Sequence, residues 1–64
     1  MSDMMKWYTI VCRDENNEIN QRVYFANAYG EREALEKAEH DSLIRWFRGR
    51  NKNTKFMVKR EILT

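Results

Sequence analysis

The chain has 64 residues, among them 12 Lys or Arg, 10 Asp or Glu, one His, one Cys and no Pro. A chain this short buries only about 60% of the surface its unfolded form exposes, so the expectation is a single domain without a deep substrate cavity. The hydrophobic fraction of 42% and charged fraction of 34% describe a folded, highly charged domain over residues 1–64 rather than a disordered segment.

The N-terminal Met1-Ser2-Asp3-Met4-Met5-Lys6 has no basic stretch followed by an apolar one. Its position predicts that residues 1–5 fray. The longest uncharged apolar run, residues 7–12, is far short of the ~20 residues a membrane span needs. The expectation is a cytoplasmic protein without membrane contact. A lone Cys fits a reducing compartment, and with a lone His it excludes a Cys/His zinc site within one chain.

Residues 7–12 (Trp-Tyr-Thr-Ile-Val-Cys) are aromatic and β-branched and predict a strand. Residues 13–18 are polar, with an Asn-Asn turn signal, and residues 21–26 predict a second strand after a rather long connection. From Gly30 to Arg48 the period changes. Leu35, Ala38, Ser42 and Trp46 recur at spacings of three and four, flanked by Ala34 and Leu43, and predict one amphipathic helix. Gly30 is placed to begin it, with Glu31 and Glu33 in its first turn. Arg45, Arg48 and Gly49 stand where cations and glycine end helices. A polar loop over 49–54 leads to a last strand over 56–62.

This order predicts a two-layer α+β domain, β-β-α-β. Its three-stranded antiparallel sheet has order 2-1-3, with one helix on one face after a right-handed crossover. The predicted core is Tyr8, Ile10, Cys12, Val23, Phe25, Phe56, Val58 and Ile62 against Leu35, Ala38, Leu43 and Trp46. The other face then carries Trp7, Thr9, Val11, Tyr24, Met57 and Lys59, and nothing remains to cover it. Such a patch suggests a partner or a dimer. A one-residue slip of register would exchange the faces.

No constellation supports catalysis, and no cofactor or metal is expected. His40 lies beside Glu39 and Asp41 on neighbouring helix positions that do not face each other. Cys12 sits in an apolar strand and reads as a small core thiol. Asp14, Glu15 and Glu18 crowd a turn that lacks the ligand alternation and glycine of a calcium loop. Gly30 and Gly49 are too isolated to cradle phosphate. Charge is the more telling feature. Residues 1–42 hold five basic and nine acidic side chains, residues 43–64 seven basic and one acidic. The run 45–55 mixes five basic residues with Trp46 and Phe47, a composition that suits acidic protein surfaces or phosphates with base stacking.

The first strand Lys6-Trp7-Tyr8-Thr9-Ile10-Val11, the helix opening Ala34-Leu35-Glu36-Lys37-Ala38-Glu39 and the ending Phe56-Met57-Val58-Lys59-Arg60 resemble, in order and spacing, a family of small phage proteins. These are the podovirus gene-product-2 inhibitors of host bacterial RNA polymerase, and the resemblance spans most of the chain. It implies a strand-strand-helix-strand fold and a protein that binds the jaw of the largest polymerase subunit, blocking promoter opening in the host cytoplasm. The family carries two arginines separated by one residue on its third strand. Arg60 stands at the first of these positions and Ile62 at the second.

Three readings follow. The first is a protein-binding module, a phage-encoded inhibitor that occludes a host enzyme such as RNA polymerase. Arg48, Arg50, Lys52, Lys55, Lys59 and Arg60 would meet carboxylates, and Trp7, Tyr24 and Met57 would supply a desolvated centre. The second is a nucleic-acid-binding domain using the sheet or the 49–55 loop. This reading requires the acidic side chains to sit on the far side. The third is a homodimer through the open sheet face.

Overall fold

A computed structural model of the chain describes residues 4–60. Its elements are strand β1 (Lys6–Asp14), strand β2 (Asn17–Ala28), helix α1 (Glu31–His40), helix α2 (Ser42–Arg50) and strand β3 (Thr54–Arg60). The sheet has the expected order, β2-β1-β3, with both pairings antiparallel. The helices pack on one face, giving the two-layer α+β arrangement. Ile62, expected in the core, and residues 1–3 of the segment expected to fray lie outside the described residues. Met4 and Met5 precede β1 and are exposed.

The connection between β1 and β2 is tighter than its polar sequence suggests. Arg13 pairs with Gln21 but Asp14 pairs with Asn17, so residues 18–20 bulge out of β2. Asp14 holds this corner. Its Oδ1 accepts the Asn16 N–H at 2.9 Å, and its Oδ2 accepts from Asn20 Nδ2 at 3.5 Å. Polar side chains that read as a loop therefore build a two-residue turn and a bulge.

The expected single helix is two helices joined at Asp41. This residue is extended (φ −70°, ψ 134°). Its N–H donates to the Ala38 carbonyl at 3.1 Å and closes α1. Its Oδ2 accepts the N–H groups of Leu43 at 3.0 Å and Ile44 at 3.1 Å and opens α2. The cause lies in the periodicity. A straight helix continuing the Ala34–Ala38 face would turn Asp41, Ser42 and Arg45 toward the core. Breaking at an N-capping aspartate resets the phase so that Ile44 and Phe47 point inward instead. Leu43 and Trp46, expected in the core, are accordingly 65% and 53% exposed.

The core has two adjoining parts. Tyr8, Ile10, Ala26 and Ala28 of the sheet meet Ala34 and Ala38 of α1, with Tyr24, Leu35, Phe56 and Val58 around them. Cys12 meets Ile44 and Phe47 of α2, again beside Tyr24 and Phe56. The faces of β1 and β3 are as expected, but those of β2 are exchanged. Tyr24, Ala26 and Ala28 face the helices, while Val23 and Phe25 are exposed. Hydrophobicity alone favours Val23 and Phe25 as core. The close approach of α1 through its alanines selects the small residues of β2 instead.

Two substitutions test this geometry. Asp41→Ala removes both cap acceptors and is expected to cost about 0.5–2 kcal/mol, read as a lower urea midpoint, with Asp41→Asn retaining most of the stability. Phe47→Ala is expected to cost about 3–5 kcal/mol, enough to unfold a domain of this size. Trp46→Ala should keep the native circular dichroism spectrum. Unfolding by Trp46→Ala with a tolerated Phe47→Ala would contradict the break in the helix.

Candidate functional site

The alternation of β1 decides what the uncovered face presents. Tyr8, Ile10 and Cys12 point to the helices, so Trp7, Thr9, Val11 and Arg13 point away. The pairings carry this across the sheet in rows. Val23, Val11 and Met57 form an apolar row. On one side of it lies the row Phe25, Thr9 and Lys59, followed by the pair Asn27 and Trp7. On the other lies the row Gln21, Arg13 and Lys55. Arg13 Nε donates to Gln21 Oε1 at 3.1 Å, a cross-strand contact on this face. Four large apolar side chains are exposed here: Phe25 (64%), Val23 (45%), Trp7 (43%) and Met57 (39%). Trp7 and Phe25 are diagonal neighbours on adjacent strands, a spacing aromatic side chains can bridge.

The charge on this face has one sign. Arg13, Lys55 and Lys59 are its ionised groups among the described paired positions. The described carboxylates lie elsewhere. Asp14, Glu15 and Glu18 belong to the hairpin turn and its bulge, and Glu31, Glu33, Glu36, Glu39 and Asp41 belong to the helix layer. The acidic groups thus occupy the hairpin end and the far layer.

The other predicted binding residues are divided by the fold. Trp7, Met57, Lys55 and Lys59 share the open face. Tyr24, expected there, is half-buried beneath the helices, for the register reason given above. Arg60 pairs with Tyr8 and so points to the helix side. Arg48 stacks 5.0 Å from the centre of the Phe56 ring, with Nη1 3.7 Å from Glu39 Oε2. Arg50 lies 5.1 Å from the Trp46 ring, on the outer side of α2. Lys52 is in the loop before β3. That loop is pinned to the hairpin by Asn20 Nδ2 donating to Asn51 Oδ1 at 2.8 Å and the Glu15 N–H donating to the Asn53 carbonyl at 2.7 Å. Phe25, Val23, Arg13, Gln21 and Asn27 are members of the open face that sequence reasoning missed. The available signal was the pair Ala26 and Ala28, small residues at the strand spacing of two that complement Ala34 and Ala38 at the helix spacing of four.

Among the described residues, no cluster of three or more His, Cys, Asp or Glu could hold a metal ion, and no helix is long and apolar enough to cross a membrane. The His40 ring nitrogen Nδ1 sits 2.7 Å from the Glu36 carbonyl of its own helix. No family model matches the chain, and neither curated proteins nor solved structures include a significant match to it.

Cys12 is fully buried in the α2 part of the core. Burial pushes its thiol above the ordinary value of 9.0, against smaller opposing pulls from a hydrogen bond with Thr54 and the charge of Arg48. The fold therefore holds the proton more tightly than the unfolded chain does. This contribution to stability is complete below the unfolded-state value and is lost as pH rises through the higher folded one. Two outcomes are expected: iodoacetamide labels Cys12 only in denaturing urea, and the urea midpoint falls as pH is raised past 9.0. Rapid labelling of the native chain would contradict the burial.

Proposed function

We propose that the chain is a small protein-binding module that docks its open sheet face on an acidic, partly apolar surface of a partner and acts by occlusion. The resemblance to the phage inhibitors of host RNA polymerase makes that enzyme the first target to test. The observation that carries the reading is the row Val23–Val11–Met57, flanked by Phe25 and Trp7, on a face whose described charged groups are all cations. Exposed apolar area of this kind supplies affinity once a partner excludes water from it, and the lysines and Arg13 select a partner rich in carboxylates.

Homodimerisation through the same face is disfavoured by charge. A second copy would bring Arg13, Lys55 and Lys59 against an identical set with no described carboxylate to offset them. Nucleic acid is the second reading. The retreat of the acidic side chains to the hairpin end and the helix layer favours it, as does the diagonal pair Trp7 and Phe25. Against it, an aliphatic row through the centre offers no ring face for a base to stack on.

Capture of partners from nuclease-treated bacterial lysate with the tagged chain tests the proposal. One stoichiometric host protein is expected. Phe25→Ala should weaken that complex by about 2 kcal/mol, roughly 30-fold, and Lys55→Glu with Lys59→Glu should weaken it and reduce its association rate. All three positions are solvent-exposed, so these variants keep the fold. Capture that disappears with nuclease, or that ignores all three substitutions, sinks the proposal.

A further inference from the structure

The dimensions and charge layout of the open face restrict what can lie on it. Its three strands stand about 4.8 Å apart, so β2 and β3 are separated by about 10 Å, close to the width of a single α-helix (about 10–12 Å with side chains). From Trp7 to Arg13 the central strand runs about 20 Å at roughly 3.3 Å per residue, the length of about 13 helical residues. The apolar side chains fall within this strip, on β1, β2 and the middle of β3. The β2 flank (Gln21, Val23, Phe25, Asn27) is uncharged, whereas β3 carries Lys55 and Lys59. These lysines stand four residues apart on one strand, about 13 Å, which matches the spacing of about 12 Å between positions i and i+8 of a helix.

Strand addition fits the face less well. It would use the backbone edges and leave the Val23–Val11–Met57 row uncovered. On β2 the Asn27 carbonyl already accepts Lys37 Nζ at 2.6 Å, and β3 carries Lys55, Lys59 and Arg60, the kind of charge that guards an exposed edge.

We infer that the open face receives one acidic amphipathic α-helix of the partner, laid along β1. Its apolar positions i, i+3 or i+4, and i+7 cover Trp7, Phe25 and the Val23–Val11–Met57 row. Its carboxylates at i, i+4 and i+8 of one flank lie over Lys55 and Lys59. This inference rests on the protein-binding reading above and specifies its ligand.

The test is a titration of a synthetic, end-capped peptide of about 14 residues into the full 15N-labelled chain. The peptide carries Leu and Phe on one face and Glu at i, i+4 and i+8 on one flank. The expected result is saturable amide shifts concentrated in residues 7–13, 23–27 and 55–59. Lys55→Glu with Lys59→Glu should weaken binding at least about tenfold, and a peptide with Lys in place of Glu should not bind. No shifts at millimolar peptide, or shifts confined to α2, would overturn the inference. If the peptide fails while a lysate partner is still captured through Phe25, the helical mode is wrong and the protein-binding reading stands. If an oligothymidylate shifts these same amides and the peptide does not, the face is a single-strand platform and both proposals fail.

Discussion

The packing of Tyr8, Ile10 and Cys12 against the two helices decides the orientation of every other residue in the sheet. β1 is the central strand and pairs on both sides, so its alternation passes to β2 and β3 through the register. Among the described residues, both helices pack on the side of Tyr8, Ile10 and Cys12. The opposite side carries no described covering element, and the identity of Trp7, Val11, Val23, Phe25 and Met57 makes it chemically distinctive. An all-polar set at these positions would have made an ordinary solvated sheet face. What the fold exposes is a contiguous apolar surface, and the proposed docking rests on it.

The sequence made the architecture legible through residue types and one change of period. The aromatic and β-branched residues at 7–12 and 21–26 and the near period of 3.6 over residues 30–48 suffice for a β-β-α-β order, and the right-handed crossover rule gives the strand order 2-1-3. Two details were hidden, each for a physical reason. In β2 both alternating sets, Val23 and Phe25 or Tyr24, Ala26 and Ala28, are apolar enough to be buried. The choice depends on how closely α1 approaches, which is a tertiary fact. In the helix, Asp41 looks like one more surface carboxylate. Its capping role emerges only when Ala34 and Ala38 are seen to be out of phase with Ile44 and Phe47. The same two details explain why the candidate site was only half visible. Trp7, Met57 and Lys59 were placed on the open face correctly, while Phe25 and Val23 were assigned to the core and Tyr24 was put in their place.

The helix break has consequences beyond packing. By turning Ile44 and Phe47 inward it leaves Leu43 and Trp46 on the outside of α2, with Arg50 stacked on the indole. It also draws Arg48 over the Phe56 ring and toward Glu39. Two cations of the basic C-terminal third thus have intramolecular partners on the helix side of the sheet. The clustering of Lys and Arg along the chain overstates the positive patch in space. Only Lys55 and Lys59 of that third, joined by Arg13 from β1, reach the open face.

That redistribution sharpens the surface. The described carboxylates concentrate on the helix layer and at the hairpin end, and the open face keeps cations alone. In the proposed binding mode, the cations of the open face, with no described carboxylate beside them, would steer an acidic partner to that face. Rim cations of this kind act mainly on association and partner choice. In the proposed complex, the lasting free energy would come from burying Phe25, Trp7 and the Val23–Val11–Met57 row. On the open face the charge stands at Lys55, Lys59 and Arg13, while the apolar area runs over β1, β2 and Met57 in the middle of β3. A ligand that satisfies both must itself be two-sided, and an amphipathic helix with one acidic flank is the simplest segment that is.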